Sequence, residues 1–573
     1  MTLIAQVTQP AAESPAPAAQ NPLDFGLAGW VMALTFLLIV VVTKIADSGA
    51  GKSSHLTTAR WAKPADKQAA RRTAHRQLKG GRHDEVTLWI NAPKEIAGTA
   101  VRGDRDTVWL PHMERGTAVI GGSGSGKSYS VIKPTLRAAI AQGLPTALLD
   151  TDYPGLTKTI APLAKAAGYD VFIFAPGFPE SRICNVLDFI GDSRDATAAS
   201  QISKTLNKNF SVSPSRAEDP FFSVAGELAT EAAFLLAKAM PYPDILQAFA
   251  ILKDDKMVER VKHVGAIDQW LSLSFGQLLS TARSEKTVDS IRGTAAILLG
   301  QLMRPDILPT LIGKSTLPIN ITGKRLIIFG VKQDIRMAVS PLIASVINAI
   351  VTRNILPGRK EPLFLSLDEM PSMYFPEIAD WLSEKRKYGL CTQIGYQSLG
   401  QLENTYGKEL AQVIFTNTAT KFLFNPQAIE SAKIFSSMLG ETDVVYKTLS
   451  RSAGKGSSRT RAEHRARKSL FTPDEFMGLD AGSCVLLSPG YGSKKRKFVP
   501  TLFDPLQIIQ RELDIQQETE ARWHDFLQDA LKGGVGNQRI APTEIDKRVE
   551  AFHNALPVVS APPAAPLSSF LSR

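Results

Sequence analysis

The sequence predicts an α/β protein: a mainly parallel sheet covered by helices, an all-helical insertion within it, and one membrane-spanning helix near the N-terminus. Three observations predict this class. Short apolar, β-branched or aromatic runs recur beyond residue 100, and several are nearly continuous, as strands read when both faces of a parallel sheet are covered. Strand signals vanish between about residues 195 and 310. Phe25 to Thr43 is a nineteen-residue run without a charge.

That uncharged run comes first along the chain. At about 1.5 Å per residue it reaches roughly 28 Å, close to the ~30 Å of bilayer hydrocarbon, and the span is placed at residues 25–46. Everything after it reads as too polar to cross a membrane. Residues 1–24 contain no Lys or Arg. The following stretch holds Lys44, Lys52, Arg60, Lys63, Lys67, Arg71, Arg72, Arg76, Lys79 and Arg82. The positive-inside bias therefore puts the N-terminus outside and the body of the protein in the cytoplasm, at the inner membrane. A cleaved signal peptide fits poorly, because no basic segment precedes the apolar run. Residues 47–100 read as a basic juxtamembrane segment that rests on anionic lipid, each basic residue contributing about 1 kcal/mol, or on DNA.

Bulk properties narrow the function classes. A chain of 573 residues exceeds one compact core, and an apolar content of 44% excludes a multi-span transporter. The net charge of +11 favours an anionic partner, either nucleic acid or membrane surface. Cys184, Cys391 and Cys484 lack CxxC spacing, and the eight histidines form no HExxH pattern, so the only metal expected arrives with a nucleotide.

The expected strands are Thr117–Ile120, Thr146–Leu149, Val171–Phe174, Leu326–Phe329, Leu363–Leu367, Cys391–Tyr396, Lys421–Phe424 and Cys484–Leu487. They place a nucleotide-binding domain at 101–194 and 311–505. Between its halves, 195–310 reads as an all-α domain, with Phe222, Ala225, Leu228, Ala229, Ala232, Leu235 and Leu236 at helical spacing. Residues 506–573 begin as a charged amphipathic helix and end in an Ala/Pro-rich run (VVSAPPAAPLSS) of disordered composition.

Gly121-Gly122-Ser123-Gly124-Ser125-Gly126-Lys127-Ser128 fits GxxxxGK[ST], with a strand before it and a helical pattern after it. Glycines let backbone N–H groups turn inward around phosphates, and the helix N-terminus adds partial positive charge. In this pattern Lys127 reaches the β- and γ-phosphates of ATP, and the Ser128 hydroxyl ligates Mg²⁺. Gly51-Lys52-Ser53 is a decoy: Ala46 stands where the first glycine belongs. The partner half of the site is Leu363–Leu367 running into Asp368-Glu369, with Asp368 in the Mg²⁺ shell and Glu369 polarising the attacking water. A transition-state cation is sought in Glu384-Lys385-Arg386-Lys387, though a basic cluster also reads as a solvated face. Gln397, closing its strand, is either a γ-phosphate sensor or an ordinary polar strand end.

Together these pieces resemble the type IV coupling proteins, the TraG/TraD-like ATPases of conjugation, over roughly residues 55–500. The motifs are Ala59-Arg60-Trp61-Ala62, Asn185-Val186-Leu187-Asp188, Asp219-Pro220-Phe221-Phe222 and Ser290-Ile291. They continue with Arg386 to Leu390 (RKYGL), Gln397 to Leu402 (QSLGQL), Tyr406-Gly407, Asn417 and Leu470 to Glu475 (LFTPDE). The resemblance implies a RecA-like P-loop domain, Arg386 as an arginine finger across a subunit boundary, and Gln397 as the coupler of hydrolysis to movement. It also implies a homo-hexameric ring, single-stranded DNA with its relaxase as substrate, and a type IV secretion channel as partner. Two features depart from it: one membrane span in place of two, and Asp152-Tyr153-Pro154 where many members have Asp-Pro-Lys. The basic stretch Arg451 to Lys468 reads as a loop, either on DNA backbone or simply solvated. The competing functions are an FtsK/HerA-like double-stranded DNA translocase and a non-motor nucleotide-binding scaffold.

Overall fold

The computed structural model describes residues 59–92, 106–211, 220–451, 459–492 and 498–558, together with Thr35. The predicted span at 25–46, apart from Thr35, lies outside the described residues. So do residues 1–24, Asp219, the middle of the basic stretch (452–458), and all of VVSAPPAAPLSS beyond its first residue.

The described strands, in chain order, are β1 (Leu88–Ile90), β2 (Val108–Leu110), β3 (Thr117–Ile120), β4 (Thr146–Asp150), β5 (Asp170–Phe174), β6 (Arg325–Gly330) and β7 (Leu363–Leu367). They continue with β8 (Leu390–Tyr396), β9 (Thr420–Leu423), β10 (Glu441–Arg451), β11 (Arg459–Ser469), β12 (Cys484–Leu487) and β13 (Thr501–Phe503). Nine form one sheet in the order β13-β12-β9-β3-β8-β7-β4-β6-β5. Strands β3 to β9 within it are all parallel, and β12 and β13 close one edge antiparallel. Each of the eight apolar runs expected to be a strand falls on this sheet. Every residue of β3, β4, β7 and β8 is buried, which explains why those runs carry no polar alternation.

The basic stretch behaves differently from its composition. Most of it is strand: β10 and β11 pair from Glu441↔Ser469 to Arg451↔Arg459 as a long antiparallel hairpin. Here the backbone ladder, which charge does not interrupt, overrides a loop-like composition.

Between β5 and β6 the described regular elements are helical, including Ala196–Ser211, Pro220–Lys238, Ile245–Lys253 and Glu285–Gly300. In Pro220–Lys238, Ala225, Ala229, Ala232, Leu235 and Leu236 face inward, whereas Leu228 is 38% exposed. The helix Arg336–Asn354 corrects one expectation. With the turn from Gln333 it is long and apolar enough to cross a membrane, at mean hydropathy 1.7, yet most of it is buried inside the protein. It is apolar all round because it is a core helix, packed on Ala196–Ser211.

Within the segment read as juxtamembrane, Pro64–Gly80 is a helix that buries Asp66, Ala70, Ala74 and Gln77 and turns Lys63, Lys67, Arg72, Arg76 and Lys79 outward. The C-terminal segment, expected to begin as one charged helix, holds three among its described residues. Helices Gln510–Ala521, Trp523–Lys532 and Thr543–Ala555 lie back on the body. Glu512 pairs with Arg137 at 3.3 Å, both nearly inaccessible, and Arg548 pairs with Asp244, each 4% exposed. Arg137 belongs to the helix after the glycine loop, and Asp244 caps helix Ile245–Lys253. One segment thus straps these two regions together.

Candidate nucleotide site

Because β3, β4, β7 and β8 run parallel, their C-termini share one edge of the sheet, where ligands of open α/β sheets bind. Register sets the neighbours. Leu149 pairs with Leu367, and Leu367 with Ile394, so one step further Asp150 stands beside Asp368 with Gly395 on its other flank. Gly395 pairs in turn with Val119 of β3. A Cβ on Gly395 would lie 3.2 Å from Asp368 Oδ1 and 3.4 Å from Ile132 Cδ1, so Asp368 and the segment that follows the glycine loop both close on β8 at this glycine.

The loop leaves β3 at Gly121. The Gly121 and Gly122 amides donate to Tyr396 O (3.2 Å) and Asn425 O (2.8 Å), which fixes its base to β8 and to the segment after β9. Gly124 and Gly126 have φ of 73° and 94°, left-handed values that side chains resist. At Gly122 an added Cβ would sit 2.3 Å from the Gln427 side chain, and at Gly126 it would sit 2.8 Å from Gly482 N. Ser123 and Gly124 form an exposed crest, and Gln427 Nε2 donates to Ser123 O at 3.2 Å. Lys127 is buried, and its ammonium donates to the carbonyls of Gly121 and Gly122. Ser128 opens the next helix with a π turn to Ile132, continued as α-helix to Ala141. Positive-φ glycines, an inward ammonium and a helix N-terminus together make a cradle for phosphate.

The charges at this edge do not balance. Burial lowers the Lys127 pKa, while Glu369 and Asp368 oppose that shift. Burial, then Asp150 and Glu369, push Asp368 up to about 7, against the pull of Lys127. Asp150 is raised by its own burial. Its Oδ2 accepts from Leu156 N (3.1 Å), Thr157 N (2.8 Å) and Thr157 Oγ1 (2.7 Å), while Oδ1 is buried without a partner. Crowded carboxylates beside one lysine, with the Ser128 hydroxyl nearby in sequence, are hard oxygen donors of the kind that suit Mg²⁺. The donor set and the cradle both fit a magnesium nucleotide.

Glu369 is half-buried at φ 53°, and its Oε1 accepts from Gln401 Nε2. Gln397 is exposed at the end of β8, and its amide donates to Gln401 Oε1 at 2.9 Å. Lys127, Ser128, Asp368, Glu369 and Gln397 therefore meet at one edge. Arg386 does not join them. It is exposed on the turn Lys385–Tyr388 before β8, at the opposite edge, about 23 Å away along a seven-residue strand.

Sequence reasoning missed Asp150, although TALLD ends in an acid as LFLSLD does. It also missed Asn425 and Gln427, for which a single sequence offers no signal.

Residues 82–499 match the model of the type IV secretory system conjugative DNA transfer family. The chain belongs to that family. A probable conjugal transfer protein TraG from Sinorhizobium fredii is 28% identical over 407 residues, 65% of this chain and 60% of that relative. The aligned part thus spans less than two thirds of TraG. Among solved structures, the conjugative coupling protein TrwBΔN70 in an unbound form superposes with a TM-score of 0.52 at 19% identity, covering 70% of this chain and 87% of that one. TrwB in complex with ADP and Mg²⁺ gives 0.51 at 19% identity, covering 70% and 88%.

Several of the family-like motifs in this chain are fold staples. Arg60 grips Asp66 through two bonds of 2.6 and 3.1 Å, and Trp61 meets Phe471 edge to face at 5.7 Å, joining ARWA to LFTPDE. Thr472 and Glu475 form a capping box. Asn185 caps its own turn, and Asp188 accepts from Ser315 N and Oγ.

Proposed function

We propose that this coupling protein is a membrane-anchored ATP hydrolase that passes single-stranded DNA, with its relaxase, to a type IV secretion channel. The observation that carries the reading is the convergence of the Lys127 loop with Asp368 and Glu369 across β8. Lys127 binds the β- and γ-phosphates. Ser128 and Asp368 would hold Mg²⁺, which neutralises phosphate charge when bound. Glu369 takes the proton of the attacking water. The TrwB structure with ADP and Mg²⁺, similar in fold, supports the nucleotide assignment.

Arg386 acts in trans in this reading. Its exposure at the edge opposite Lys127 is what a finger from a neighbouring subunit of a homo-hexameric ring requires. Gln397 couples the phosphate end of the site to movement. Residues 25–46 anchor the protein in the inner membrane, and the outward basic face of Pro64–Gly80 suits an anionic bilayer surface.

The test is ATP turnover of purified protein with and without single-stranded DNA, together with conjugative transfer from a deletion strain. Lys127→Ala should abolish both turnover and transfer. Transfer that survives this substitution would leave a nucleotide-binding scaffold. Stimulation by duplex alone, with normal transfer in the deletion strain, would indicate a double-strand translocase.

A further inference from the structure

Gln401 links two residues of the site. Its Nε2 donates to Glu369 Oε1, and its Oε1 accepts from Gln397 N. Chemistry fixes this orientation of the amide: an ionised carboxylate can only accept, and a backbone N–H can only donate. Gln401 lies in the first turn of helix Leu399–Tyr406, where its own N–H bonds to the Ser398 cap. A shift of Gln397 or of that helix therefore moves the group that holds Glu369.

Glu369 is constrained from the other side as well. Its backbone is left-handed, φ 53° and ψ 50°, a conformation that costs a residue with a side chain about 1 kcal/mol or more and persists only where its surroundings impose it. The bond from Gln401 is the one hydrogen bond its carboxylate makes among the described residues. That bond fixes the direction in which the carboxylate points, and so whether its other oxygen can reach the attacking water.

We propose that Gln401 is a positioning residue that restrains Glu369, and that movement of Gln397 with helix Leu399–Tyr406 releases it for hydrolysis. This rests on Glu369 being the general base. Basal turnover is then limited by rupture of the Gln401–Glu369 contact, and a single carboxamide transmits the position of the β8 end to the general base.

The experiment measures ATP turnover of the full-length protein, with and without single-stranded DNA, and the Kd of a fluorescent ATP analogue. Gln401→Ala removes the restraint. Gln401→Glu, nearly isosteric, sets a carboxylate against Glu369 and still accepts from Gln397 N. Both variants are expected to raise DNA-free kcat about three- to tenfold, to leave the analogue's Kd within about twofold, and to bring the ratio of rates with and without DNA close to one. A fall in DNA-free kcat at unchanged Kd would show that Gln401 orients Glu369 productively and would overturn the restraint. Unchanged rates would make the contact a bystander and would overturn it equally. Full turnover in Glu369→Gln or Lys127→Ala would instead remove the underlying assignment of the site.

Discussion

Arg548→Ala should release the C-terminal strap. The guanidinium Nε bonds Asp244 at 3.0 and 3.2 Å and Nη2 bonds Asp244 again, while Nη1 bonds Glu544 O and Oε2, each at 2.9 Å. Burial opposes the charge, but the bonds to Asp244 and Glu544 hold the Arg548 pKa above its ordinary value. Removing one partner of such a buried pair leaves the other charge unpaired and costs about 3–5 kcal/mol. Asp244 also caps helix Ile245–Lys253 and sits in the helical region, whereas helix Thr543–Ala555 is tied on by Arg548, Gln247 and the Arg260–Leu556 O bond. The cost should therefore appear as local detachment of 543–556. Amide exchange there should accelerate by about two to four orders of magnitude, and trypsin should reach the segment before the rest of the body unfolds. Asp244→Leu with Arg548→Met removes both charges and should recover most of the loss. If Arg548→Ala costs under about 1 kcal/mol, or is additive with Asp244→Ala, the pair is not what holds the strap.

Three further outcomes follow from the geometry. Gly395→Ala puts a methyl 3.2 Å from Asp368 Oδ1 and should weaken Mg²⁺-dependent nucleotide binding about tenfold, read by calorimetric titration, with little change in global stability. In the proposed site Asp368, raised to about 7, must ionise to hold Mg²⁺, so Mg²⁺-dependent nucleotide affinity should climb between pH 6 and 8; a flat profile over this range would contradict that role. Burial lowers Lys421 to about 8, so between pH 8 and about 10.5 the unfolded chain binds more protons and stability rises with pH, by at most about 3 kcal/mol. Lys421→Met should flatten that rise in urea denaturation.

The parts legible in the sequence were those with strong local grammar. Continuous apolar runs gave the central strands, and the glycine loop with Asp368-Glu369 gave most of the site. Strands of three residues, such as β1, β2 and β13, are too short to show a period. The β10–β11 arm was hidden because ladder pairing depends on a partner strand and not on hydrophobicity. Asp150 and Gln427 gain their roles only through neighbours distant in sequence, with Gln427 meeting Ser123 across 304 positions. The helix Arg336–Asn354 shows the converse: composition alone does not distinguish a protein interior from lipid.

The Arg137–Glu512 pair spans 375 positions of chain, so Arg137 leaves the ribosome well before its counter-charge exists. At a synthesis rate of about 5–20 residues per second the wait is on the order of 20–75 seconds. During it, the underside of helix Lys133–Ala141, which follows the glycine loop, stands open to water and to other nascent chains. Completion of that region thus waits on translation of the 375 positions that separate the two residues, and chaperone dependence should rise when the segment is delayed.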